Sequence, residues 1–197
     1  MVMPNTPLEQ AAYGKMHRSN LEYHNIDHIF RCFDYYKNNN VVMTETLRVA
    51  TWYHDVVYDN LPNKEVRSTF YLQAMVEDHN AWARRFPDDD LAKAKTMILG
   101  TINHNIITNP YAKDLIKADL YDLTFPDRTI RNFVKIMDES TKLYGISKVD
   151  FAKANRSFMD GLLQVCRDNR EADDDKEYWD GVLRGISITK KMAKSFL

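Results

Sequence analysis

Ala50 to Asp59 reads A-T-W-Y-H-D-V-V-Y-D, an adjacent His54-Asp55 pair set among apolar and aromatic residues. Two strong metal-binding side chains in an apolar helical stretch need partners once they leave water, because an unpaired buried polar group is costly. Candidate partners lie on both sides. Upstream, His24-Asn25-Ile26-Asp27-His28 carries two histidines at the i, i+4 spacing that puts both on one helical face. Downstream, Lys117-Ala118-Asp119-Leu120 offers one carboxylate between small and apolar neighbours. Consecutive His54 and Asp55 point about 100° apart on a helix. Both reach one ion only if it sits beside that helix near its C-terminal end, where other helices close the shell.

Outward from this stretch the pattern is helical. Only six glycines and six prolines punctuate the chain, apolar residues recur at three and four, and no alternating strand run occurs, which predicts an all-α fold of eight or nine helices. Thr6-Pro7-Leu8-Glu9 starts a first helix that runs to about Arg18. Asn25 caps a second, with Ile26, Ile29, Phe30, Phe33 and Tyr36 as its apolar stripe and Asn38 to Asn40 as its end. Thr44 opens a third to about Val57, followed by a loop from Asp59 to Asn63. The fourth, from about Asn63 to His79, is expected to turn Val66, Phe70 and Ala74 inward. Asp88 to Asp90 open a fifth that leads through Ile98 and Ile102 to Asn103-His104, and Asn109-Pro110 begins a short sixth that reaches Asp119. Phe125-Pro126 introduces a seventh with Ile130, Phe133, Val134, Met137 and Tyr144 on one face and Gly145 as C-cap. Ser147 caps an eighth with Phe151, Phe158, Leu162 and Val165. The last segment, from Asp173, carries a Trp179, Val182, Leu183, Ile186 seam suited to the core or to the second subunit of a homodimer.

With 197 residues the chain fits a single domain, a core from about Arg18 to Leu123 and a helical extension from about Pro126. A net charge of −1 argues against duplex nucleic acid or an anionic membrane as main partner. No long apolar run indicates a membrane span or a leader. Cys32 and Cys166 are too few and too far apart for a disulfide framework or a thiolate zinc site, so a reducing cytoplasm is the expected home.

The ordered His, His-Asp, Asp set resembles the HD superfamily of metal-dependent phosphohydrolases. The likeness spans roughly Arg18 to Leu123 and is nearest to small stand-alone members, in which Y-H-x-x-x-H-I precedes H-D-x-V-Y-D; here these are Tyr23 to Ile29 and His54 to Asp59. The resemblance implies an HD-like helical bundle with His28, His54, Asp55 and Asp119 as metal ligands. Such a mixed nitrogen and oxygen set suits a six-coordinate Mn, Fe, Co, Ni or Mg ion, with Zn as a further option. Against this stands a bland reading in which His54 and Asp55 merely hydrogen-bond inside a helical core. For Asp119 the nearby alternatives are Asp114 and Asp122, which a solvated face explains better.

Further residues extend the set. His24, one turn before His28, is expected to face the same cavity, the alternative being a surface imidazole at a helix start, and Arg18 could clamp a phosphate, although a surface position is the commoner fate of an Arg. Glu65 stands where similar family members carry a Glu in an N-E-E-R-S-like segment, although Lys64 replaces the first acidic residue here. It could activate water, or simply complement a helix N-terminus. His104 resembles a family histidine near the leaving group. Asp55, Glu65 and His104 are thus the catalytic candidates, with Arg18 and His24 for substrate. The implied function is hydrolysis of a phosphoester or phosphoanhydride in a small phosphorylated compound, a nucleotide by preference. The alternatives are a metal- or nucleotide-binding regulatory module without efficient turnover and a helical interaction protein using the Trp179 seam.

Overall fold

The computed structural model describes residues 3–82 and 86–197. Among them are nine α-helices and no strand: α1 (Pro7–His17), α2 (Ile26–Asn38), α3 (Glu45–Tyr53), α4 (Lys64–Trp82), α5 (Asp88–Gly100), α6 (Lys113–Asp119), α7 (Pro126–Tyr144), α8 (Lys148–Ala172) and α9 (Lys176–Lys194). Short 3-10 turns at Pro110–Ala112 and Tyr121–Thr124 flank α6. The expected all-helical class is met. No helix among the described residues is long and apolar enough to cross a membrane.

The caps explain the helix ends. Thr6, Asn25, Thr44 and Ser147 each accept a backbone N–H of the following turn, and Gly145 closes α7 at φ 65. Glu9 departs from a simple capping box: it accepts the Asn5 N–H at 2.8 Å and binds Arg48 of α3, also at 2.8 Å. One expected boundary and one expected face change. Asn25 caps α2 as expected, but that leaves His24 before the helix rather than on one helical face with His28. Helix α3 stops at Tyr53 with His54 as its C-cap, which frees Asp55 to turn independently.

The inward stripes differ in three helices: α8, where Phe158 of the expected stripe is 51 % exposed, and α4 and α7. On α4 the buried residues are Ser68, Thr69, Leu72 and Val76, while Phe70 is 61 % exposed. Leu72 and Val76 make the i, i+4 pair that faces the core, and Phe70 points away from it. On α7, Phe133 and Met137 are buried as expected, but Ile130, Val134 and Tyr144 are 39–44 % exposed because Thr129 and Ser140 complete the inner face.

One large cluster joins α1 to α6 with α8 and α9, and it includes Trp52, Ile29, Leu115, Ile116, Trp179, Val182 and Ile186. The Trp179 seam is therefore consumed within the chain. A smaller cluster of Phe133, Met137, Phe151, Ala152 and Ala193 ties α7 to α8 and α9.

Three devices place α6. At Gly185 a Cβ would lie 2.2 Å from the Leu123 carbonyl oxygen, so glycine lets α9 lie directly on the turn after α6. At Gly100 a Cβ would meet the Ala112 Cβ at 2.4 Å, so glycine lets the end of α5 touch the turn before it. Buried Asp173 accepts from Lys113 (2.8 Å), Lys117 (3.3 Å) and the Trp179 indole (3.0 Å), which ties α6 to the α8–α9 junction.

Candidate metal centre

Helix α6 ends at Asp119, and that carboxylate arrives beside the residues singled out above. His28 sits in the first turn of α2, where Asn25 Oδ1 caps the backbone, and its Nε2 lies 3.2 Å from Nε2 of His54. Asp119 Oδ1 is 3.1 Å from His28 Nε2 and 3.7 Å from His54 Nε2. Asp55 Oδ2 is 3.2 Å from His54 Nε2 and 3.5 Å from His28 Nε2. All four donor atoms lie within 4.8 Å of one another, with both imidazoles buried and both carboxylates partly so.

The donor set fits a divalent cation. At bond lengths near 2.1 Å, neighbouring donors stand about 3.0 Å apart around an octahedron and about 3.4 Å around a tetrahedron. His54 Nδ1–H donates to the Thr51 carbonyl at 2.8 Å, which fixes Nε2 as the lone pair turned toward the cluster. Asp119 Oδ2 accepts from His104 Nε2 at 3.0 Å, so one oxygen is oriented while the other faces the imidazoles. His28 differs: its Nδ1 has no hydrogen-bond partner among the described residues, and ring packing against Tyr23 and His54 holds it instead.

Electrostatics agree with this arrangement. Burial alone would raise the Asp55 and Asp119 carboxyls, yet the surrounding imidazoles outweigh it and hold both well below the usual carboxylate range. For His54 burial pulls down, but Asp55 and Asp119 prevail and lift the imidazole well above its ordinary value.

A cavity of about 550 Å³ opens on Asp55 and Asp119, and His24, Lys64, Glu65 and His104 also line it. His24 stacks on Tyr58, with ring centroids 3.7 Å apart. Its Nδ1 pairs with Oε1 of Glu139, whose Oε2 accepts the backbone N–H groups of Tyr23 (2.8 Å) and His24 (3.1 Å). Glu139, on α7, went unrecognised in sequence because its partner is remote and nothing local marks it. Burial pushes its carboxyl up, but the His24 hydrogen bond and charge bring it below the normal value.

Lys64 extends its ammonium over the Tyr58 ring at 3.5 Å from the centroid, and burial lowers its pKa. Arg18 is exposed and does not line this cavity. It lies back along α1 toward Gly14 and borders, with Lys15, a separate recess of about 360 Å³ that reaches Asp55 and His24 from the other side. Among the described residues the cation within the main cavity is thus Lys64, because α4 begins at the cavity and α1 ends outside it.

His104 follows α5 rather than ending it, in a left-handed conformation at φ 53. Buried Asn169 of α8 stabilises that turn, donating to the His104 carbonyl at 2.7 Å and accepting from Ile106 N–H at 3.1 Å. Asp122 is not on a solvated face. It is buried and accepts from Arg31 at 2.6 Å and Asn132 at 2.9 Å, because its 3-10 turn faces α2 and α7. Cys32, one turn after His28, sits close enough to both imidazoles to join a donor set, but burial lifts its thiol well above the normal range. Comparison with protein-family models, curated proteins and solved structures finds no match.

Proposed function

We propose that this chain is a metal-dependent phosphohydrolase of the HD superfamily, acting on a phosphoester or phosphoanhydride of a small phosphorylated compound. The observation that carries the reading is the convergence of Nε2 of His28 and His54 with one oxygen each of Asp55 and Asp119 beside a roomy cavity. A divalent ion bound by these four residues supplies Lewis acidity toward a phosphoryl oxygen and toward water.

The chain's own residues do the remainder. Lys64 offsets phosphate charge in a partly desolvated setting, where a cation counts for more than in water. His24, oriented through Nδ1 by Glu139, keeps Nε2 for a phosphoryl oxygen. Glu65 lines the cavity with no hydrogen bond to a described residue, so its carboxylate takes the proton of a water attacking phosphorus. The bond from phosphorus to the leaving oxygen breaks as the new one forms, and that oxygen is reprotonated from solvent. His104 acts as a positioning residue through Asp119.

The test is metal analysis of purified protein together with multiple-turnover phosphate release from a panel of phosphorylated metabolites. Wild type retains a divalent ion and releases phosphate, whereas Asp55→Ala loses both. An Asp55→Ala protein that keeps its metal and its turnover overturns the proposal.

A further inference from the structure

The cavity is divided by chemistry, and the division follows the elements. Its charged and imidazole groups come from the segment before α2, the α3–α4 connection, the start of α4, the turn after α5 and the end of α6. The other wall belongs to α7 and α8, where Ile136, Phe151, Phe158, Met159 and Leu162 line the same space, joined by Ile102 from the turn after α5. Polar groups along that wall are few, Ser140, Tyr144 and Asn155, and the Tyr144 hydroxyl already donates to the Asp59 carbonyl at 3.4 Å. Phe158 and Ile102 are 51 % and 50 % exposed although both border the cavity, so large apolar surface stays wet until something covers it. Asn155 Oδ1 is buried with no partner among the described residues, one acceptor for one donor. Ribose hydroxyls and base edges would find too few partners here, and a buried polar group without one is disfavoured.

We infer that the substrate is a monophosphate ester of an apolar alcohol, its phosphate beside Lys64 and His24 and its hydrocarbon or aromatic body along α7 and α8. The chemistry of the inference rests on the hydrolytic reading above; its specificity rests on the wall alone. A cavity of about 550 Å³ is ample for such a molecule.

The experiment measures kcat/KM of the full chain, supplied with Mn²⁺, for n-alkyl phosphates from methyl to octyl and for nucleoside 5′-monophosphates. Each methylene that reaches the wall raises kcat/KM about three- to fourfold, octyl phosphate exceeds every nucleotide, and Phe158→Asn flattens the dependence on chain length. A flat series, or preference for a nucleotide, overturns the inference and leaves hydrolysis standing. Absence of turnover on every ester removes the hydrolytic reading instead. In that event calorimetry with n-octylphosphonate and methylphosphonate still decides the wall: tighter octyl binding supports it and equal affinities overturn it.

Discussion

At the scale of single residues, the site shows how position in space overrides position in sequence. Arg18 precedes the first motif and carries the preferred phosphate-binding group, yet it lies outside the main cavity, while Lys64 stands inside it. Lys64→Ala is therefore expected to lower kcat/KM on the order of a hundredfold, the scale for loss of a charge-stabilising donor. Arg18→Ala should leave it nearly unchanged, and steady-state kinetics on the two variants check the contrast. Glu139→Gln keeps the size of the side chain but weakens its hold on His24, for an expected loss of about tenfold or more in activity. Circular dichroism should show that the fold is retained. The Glu139 carboxyl is depressed in the folded protein, so its contribution is present above the unfolded carboxylate pKa near 4.3 and fades as pH falls through the folded value.

At the scale of elements, α6 is the part whose placement matters most, because its last residue is Asp119. Its flanking turns are set by glycine contacts that leave no room for a methyl group. Gly185→Ala must push α9 from the Leu123 carbonyl, with an expected cost of about 1–3 kcal/mol by chemical denaturation. The same shift moves Asp119, so metal affinity measured by competition with a chelator should fall as well. Asn169→Ala leaves the Ile106 N–H and the His104 carbonyl without their buried partner, which is expected to cost a further 1–3 kcal/mol or so. A stability change under about 0.5 kcal/mol would show that this turn is held by something else.

At the scale of the whole molecule, stability should follow the buried Asp173 network that joins α6 to α9. Lys113, Lys117 and the Trp179 indole hold the Asp173 carboxyl far below its usual range against the opposing effect of burial. Asp173 in turn raises Lys113. A depressed acid stabilises above its unfolded pKa and fails as pH falls; a raised amine stabilises below its unfolded pKa and fails as pH rises. The network's share of the urea midpoint, read as the difference between wild type and Asp173→Asn, should therefore be level from about pH 5 to pH 9 and shrink below about pH 4. Asp173→Asn should lower stability on that plateau by about 1–3 kcal/mol, since it removes the charge that Lys113, Lys117 and the Trp179 indole share while Lys117 keeps Asp175 at 2.7 Å, and should shallow the acid limb. An unchanged acid limb in the variant would assign the drop to other carboxylates.

From sequence alone the helical class, the four caps at Thr6, Asn25, Thr44 and Ser147, the C-cap at Gly145 and the candidate ligand set could be read. These depend on hydrogen bonds and spacings within a few residues, or on a short pattern in fixed order. What only the tertiary structure decided was which faces turned inward on α4 and α7, that Asp122 is buried, that Lys64 rather than Arg18 enters the main cavity, and that Glu139 orients His24. Each of these depends on groups brought together from distant parts of the chain, Glu139 lying 115 residues from His24. Local periodicity says that a helix has an apolar face; only packing against its neighbours says where that face points and which charges it brings with it.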